Sequence, residues 1–166
     1  MAIIHSEANM KPIVVCFGTA EVAGDSLAPL VGSILKDEYQ VKTFVYGDLS
    51  HEINGNCINE TVRFLNGIHA GDIIIAVDAS VGKAADVGKI IVKKGVRPKA
   101  AFDKSSKAIG DIGIIGVVCE STDDPLGQLM TADINLVQDM AKKIAKLVND
   151  SINYCLAANL AEKLWA

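Results

Sequence analysis

Two aspartates stand where carboxylates can do chemistry. Asp25 falls in "CFGTAEVAGDSLAPLVG" (residues 16–32), after an apolar run and a glycine-bearing turn, and Asp78 ends the run "IIIAVD" (73–78). A pair of carboxylates facing one cleft can divide acid and base work when their surroundings drive their pKa values apart. Asp25 at a helix start would be held ionised by free N–H groups and the helix dipole, which suits a base that activates water. Asp78, in apolar surroundings beside a second anion, would be pushed toward its protonated form, which suits an acid that donates to a leaving amine. Asp25 also has a structural reading, because aspartate is among the best helix N-caps. Asp78 must find a partner or a solvent-filled cleft, since a charge ending so apolar a run is otherwise desolvated.

The glycines around Asp25 do not form a phosphate cradle. A P-loop spaces its glycines by four residues and follows the second with lysine, whose charge offsets that of phosphate. Here Gly18 and Gly24 are separated by "TAEVA", and Asp25 takes the place of the lysine. The dinucleotide pattern, with glycines one and then two residues apart, fails for the same reason.

The elements that must position these acids can be read from apolar spacing. "PIVVCF" (12–17) reads as a buried strand, "DSLAPLVGSILKD" (25–37) as a helix with Asp25 at its N-cap, and "QVKTFVYG" (40–47) as a second strand. "INETVRFLNGI" (58–68) is a short helix and "DIIIAVDA" (72–79) a third strand at the centre of the sheet. Alternating strands and helices predict right-handed crossovers and a parallel unit of order 2-1-3. The crevice of such a sheet lies outside the carboxyl ends of its first and third strands, which brings Asp25 and Asp78 to one edge.

After residue 79 the pattern changes. Too few residues separate the third strand from "GKIIVKK" (88–94) for a helical crossover, so that strand should be antiparallel or peripheral. "GVRPKAAFDKSSKAIG" (95–110) is a polar loop suited to covering a site, and "DIGIIGVVC" (111–119) is a fifth strand. From Pro125 onward the chain turns helical, with a break expected near "NDSIN" and a C-terminal helix over 151–166. The fold class predicted is α/β: one three-layer sandwich around a mainly parallel sheet, a single domain over 1–166 with a flexible segment at 1–11.

Bulk properties narrow the function. The chain has 166 residues, half of them hydrophobic but only 5% aromatic, so its core must be aliphatic. A formal charge of −4 without a basic cluster argues against nucleic acid as a partner. No stretch approaches the ~20 apolar residues of a membrane span, and none at the N-terminus suits a signal peptide, so a cytoplasmic protein is expected. Cys16, Cys57, Cys119 and Cys155 form no C-x-x-C pair, and Cys16 and Cys119 read as reduced core thiols. No cofactor is called for.

"CFGTAEVAGDSLAPLVG", "FVYGDL", "IIIAVDASVG" and "IGDIGIIGVV" occur in the order, and the first with the spacing, that resembles the YyaC-type sporulation proteins of spore-forming bacteria, over residues 12–148. That family resembles in turn the spore germination protease and the hydrogenase maturation endopeptidases. The resemblance implies an α/β fold, a place in the forespore or spore interior, and Asp25 and Asp78 as the catalytic acids of an aspartate-dependent endopeptidase. In the maturation enzymes the equivalent acids, with a histidine, hold nickel. Here Ala28 and Glu21 depart from the family pattern, and Asn54 stands where the histidine is expected, with His51 nearby.

Other candidates follow. His51 is a weak metal candidate, His69 should lie on the surface at the opposite edge, and His5 falls in the N-terminal segment. Asp48 follows the second strand and either lines the crevice or closes a turn, and Ser26 adjoins Asp25 as a further cleft residue. Asp111 opens the fifth strand and would reach the same edge if that strand ran antiparallel. Three functions remain open at this stage: a peptidase acting on a protein or peptide, a catalytically silent peptide-binding or structural sporulation protein, and a metal-dependent maturation protease. The apolar C-terminus with Trp165 suggests a homodimer.

Overall fold

The computed structural model describes residues 12–98 and 107–165, with side chains through Ala158. The segment 1–11, the middle of the 95–110 loop and the Trp165 side chain lie outside the described residues, and with them the expectations placed there. Five strands, β1 (Pro12–Cys16), β2 (Val45–Tyr46), β3 (Ile73–Gly82), β4 (Ile90–Lys93) and β5 (Ile112–Glu120), form one sheet in the order β2-β1-β3-β5-β4. The first three and β5 run parallel, and β4 closes the far edge antiparallel to β5. The helices are α1 (Leu27–Asp37), α2 (Ile58–Ile68), α3 (Pro125–Met130) and α4 (Ile134–Trp165).

Period-two alternation along the strands divides the core into two layers. Val14, Cys16, Ile75, Val77 and Ile114 face Val31 and Leu35 of α1 and the α4 stripe Val137, Met140, Ile144, Val148 and Ile152. Ile13, Val15, Ala76 and Ile115 point the other way, toward Ile58 and Leu65 of α2. β1 is buried along its whole length because it has a strand on each side and a helical layer on each face.

Three expectations about the elements need correction, and the direction of β5, which the sequence left open, follows them. The second strand keeps only two residues, since the chain before it serves to close α1: Gln40 adopts a left-handed φ of 48°, and the Val41 N–H donates to the Leu35 carbonyl. β3 does not stop at Ala79. Its partner β5 outlasts β1, so pairing runs on to Gly82 opposite Glu120, with Val118 as an extra residue in β5. α4 is unbroken through residue 151, because the polar residues there lie on its exposed side while Val148 and Ile152 keep the buried stripe in register. β5 is parallel to β3, which puts its first residues at the amino-end edge.

α1 lies so close to the sheet edge that a Cβ on Gly32 would fall 1.9 Å from the Gly47 carbonyl oxygen, a backbone atom that cannot step aside. Gly67, inside α2, has open space at the same position. Gly32→Ala is therefore expected to cost about 2 kcal/mol or more in urea unfolding. Gly67→Ala should instead stabilise by about 0.5–1 kcal/mol, as for an exposed helical position.

Candidate functional site

α1 leaves β1 over one face of the sheet, and α2 reaches β3 over the other. The chain thus turns opposite ways at two neighbouring strands, and the gap above their carboxyl ends stays open. A cavity of about 470 Å³ occupies it, within the size range of ligand sites. Asp25 and Asp78 both line this cavity.

Asp25 is held by backbone packing. It sits inside a 3-10 turn, Gly24–Ser26, rather than capping α1, whose N-cap is Ser26 without a side-chain cap bond. The extra turn ahead of the helix displaces the cap by one residue. The Ser26 hydroxyl donates to the Ala23 carbonyl at 2.7 Å, which fixes the turn, and Ser26 itself is buried beneath it, outside the cavity lining. Gly18, with φ of 150°, lies against this turn so closely that a Cβ there would come 2.1 Å from the Asp25 carbonyl oxygen. Asp78 is held by the sheet: it pairs opposite Ile115 in β5, and its Oδ1 accepts from the Ala79 N–H at 2.9 Å. Both acids are half-buried.

The remaining walls are mostly apolar. Phe17, Ile53 and Ile58 come from the α2 side of the sheet, and Val81, Leu126 and Leu129 from the α3 side, so the cavity spans both faces over the end of β1. Thr19, Asn54 and Ser80 add polar groups, and no lysine, arginine or histidine occurs among the described lining residues. Asn54 and Gly55 arrive through a loop that bridges to the sheet where Phe17 pairs with Ile53. Sequence reasoning noted Asn54 only as a departure from a pattern, and nothing in local spacing announces its place beside the acids.

The other candidates lie elsewhere. Asp48 is buried in a network of its own, paired with Lys36 and accepting from the Ser50 and His51 N–H groups at 2.7 Å each. It closes a turn and does not line the cavity. His51 is exposed on that turn, 3.5 Å from Asp48, and borders a separate groove beside α2. Asp111 lies at the opposite edge, where its carboxylate accepts from the Ile74 N–H at 2.9 Å, as the parallel direction of β5 requires.

His69 is buried rather than exposed: its Nε2 is 2.8 Å from the Tyr46 hydroxyl and its Nδ1 2.8 Å from Asp72, with Phe44 and Phe64 packed around the ring. Burial and then the nearby Asp72 push the Tyr46 hydroxyl pKa upward. Cys16 and Cys119 are buried, and burial drives the Cys16 thiol far above the ordinary thiol range.

The nickel site that the family resemblance implies would need the two acids joined by a histidine. Among the described residues no three His, Cys, Asp or Glu side chains come together, and Asn54, a poor ligand for a transition metal, accompanies the two acids. The donor set does not fit such an ion. Among the described residues no helix is long and apolar enough to cross a membrane.

Residues 1–147 match the family described as "Protein of unknown function (DUF1256)". The protein YyaC of Bacillus subtilis (strain 168), itself described as uncharacterized, is 36% identical over 138 residues, which cover 82% of this chain and 67% of that one. Among solved structures, the NiFe hydrogenase maturation protease HycI from Thermococcus kodakarensis KOD1 superposes with a TM-score of 0.55 at 16% identity, over 87% of this chain and 93% of that one. A variant of peptidyl-tRNA hydrolase from Acinetobacter baumannii gives 0.59 at 9% identity, over 86% and 87%. Both likenesses establish the α/β fold.

Asp48 titrates below the usual carboxylate range: burial raises its pKa, but the bonds from Lys36, Ser50 and His51 together outweigh it. A depressed folded-state pKa stabilises above the unfolded value, and that stability is lost as pH falls through the folded one. Asp48→Asn should therefore lower the melting temperature at pH 7, and the gap to the parent should close as pH drops below about 4. Thermal melts across pH check this.

Proposed function

We propose that this chain, which belongs to the DUF1256 family, hydrolyses an amide bond in a protein or peptide with Asp25 as its base and Asp78 as its acid. The observation that carries the reading is that two carboxylates from separate elements line one largely apolar cavity at the carboxyl edge of a parallel sheet. Asp25 takes a proton from water, whose oxygen attacks the substrate carbonyl. Asp78 gives a proton to the amide nitrogen, the C–N bond breaks, and a carboxylic acid and an amine leave. Apolar walls strengthen both transfers by excluding bulk water.

The same fold carries a maturation protease and a peptidyl-tRNA hydrolase among solved structures, which fits a hydrolytic role without naming a substrate. The two carboxylates in the lining of the cavity disfavour a phosphate-bearing substrate such as a tRNA and favour a peptide. The YyaC-type resemblance supports a substrate met during spore formation or germination, in the cytoplasm of the developing spore.

Incubation with proteins from sporulating cells, followed by mass spectrometry of new chain termini, tests the reading. Asp25→Asn and Asp78→Asn should each reduce cleavage by about 100-fold or more with the fold retained. Full activity in either variant overturns the paired-acid mechanism. Peptide capture with no new termini favours a silent binding protein.

A further inference from the structure

We infer that the substrate of this site binds as an added strand along the part of β3 that extends beyond β1, with a bulky apolar side chain seated in the cavity. The inference rests on the reading of the cavity as a peptide site and specifies how the peptide is held. β1 ends opposite Val77, whereas β3 continues through Gly82, so β3 outruns its neighbour on that side. The cavity lies in the gap: Asp78, Ala79, Ser80 and Val81 all line it.

Backbone alternation decides what the gap offers. The Val77 carbonyl accepts from Phe17, on the β1 side, while the Ile74 and Gly82 carbonyls accept from Asp111 and Ser121, on the β5 side. Odd-numbered residues of β3 therefore turn their N–H and C=O toward β1, and the extra residue at Val118 sits in β5, so this alternation persists to Val81. Among the described residues the Ala79 N–H is bonded to the Asp78 carboxylate and the Val81 carbonyl to the Ser80 hydroxyl. Among them no turn, loop or side-chain hydrogen bond uses the Ala79 carbonyl or the Val81 N–H, and both groups face away from β5.

These two groups are one acceptor and one donor spaced as a parallel ladder needs: a single peptide residue can donate to Ala79 and accept from Val81. A segment lying there continues the path of β1, beside both acids. This is recognition by strand addition, in which main-chain bonds give affinity and side-chain pockets give specificity.

The walls set the side chain. Leu126 of α3 borders the cavity with 61% of its surface exposed, and Phe17, Ile53 and Leu129 extend the apolar lining. Two carboxylates in the lining disfavour an acidic residue. The substrate class is an extended, non-acidic segment with a leucine-sized side chain next to the bond that is cut.

Short, terminally blocked peptides with a central leucine, serine or aspartate test this on Asp25→Asn protein, which prevents turnover during binding. The leucine peptide should bind about tenfold or more tightly than the others. Single backbone N-methylations along it should weaken binding at alternate residues only, and its binding should slow exchange of the Val81 amide. Leu126→Lys, at an exposed position, should erase the leucine preference with the melting temperature unchanged.

Equal binding of the three peptides, N-methyl effects without alternation, an unprotected Val81 amide, or no binding below about 1 mM overturns the inference. Alternation without any cleavage product overturns the hydrolase reading alone. Cleavage dependent on Asp25 and Asp78 without alternation overturns strand addition alone.

Discussion

The site depends on one constraint: β1 and β3 are hydrogen-bonded neighbours running the same way, yet the chain leaves one and reaches the other over opposite faces of the sheet. No connection can cross the gap between them at the carboxyl edge. That gap must stay open or be filled by side chains, and here the short β1 leaves it open. Backbone contacts then set its shape. Gly18 lets the Asp25 turn settle against the end of β1, and Gly32 lets α1 approach the chain after β2, contacts that any larger residue would prise apart.

The polar groups of the molecule separate into those buried in clusters of their own and those that border the cavity. Asp48 with Lys36, and His69 with Tyr46 and Asp72, are buried groups whose hydrogen bonds are satisfied within their own clusters. Burial without such partners would cost several kcal/mol of desolvation, about 1–3 for each unmet group. Their composition resembles reactive sites, but their geometry is that of anchors: one ties α1 to the turn after β2, the other ties the end of α2 to the sheet edge. Asp25 and Asp78 differ because their surroundings are a cavity wall.

Much of this was legible in the sequence, since it follows from local pattern. α2 begins and ends where its apolar spacing says, the parallel 2-1-3 core follows from alternating strands and helices, and β4 is antiparallel because the loop before it is short. The meeting of Asp25 and Asp78 followed from topology alone. What the sequence concealed depends on pairing between distant segments: the length of β3 is set by β5, the direction of β5 moves Asp111 to the far edge, and the burial of His69 requires aromatic rings from β2 and α2. The extra 3-10 turn at Asp25 escaped notice because an aspartate before a helix satisfies every cap rule.

The long α4 has a consequence for how the protein is made. Its stripe from Val137 to Ile152 packs beside α1 and completes the cover of one face of the sheet over β5, and it is the last of the described elements in chain order. A ribosome that has produced the whole sheet has therefore produced an uncovered aliphatic surface, and at about 5–20 residues per second that surface waits for seconds before α4 can close over it. Folding of this domain is coupled to the synthesis of α4, and chaperone demand should concentrate on the interval after β5 emerges.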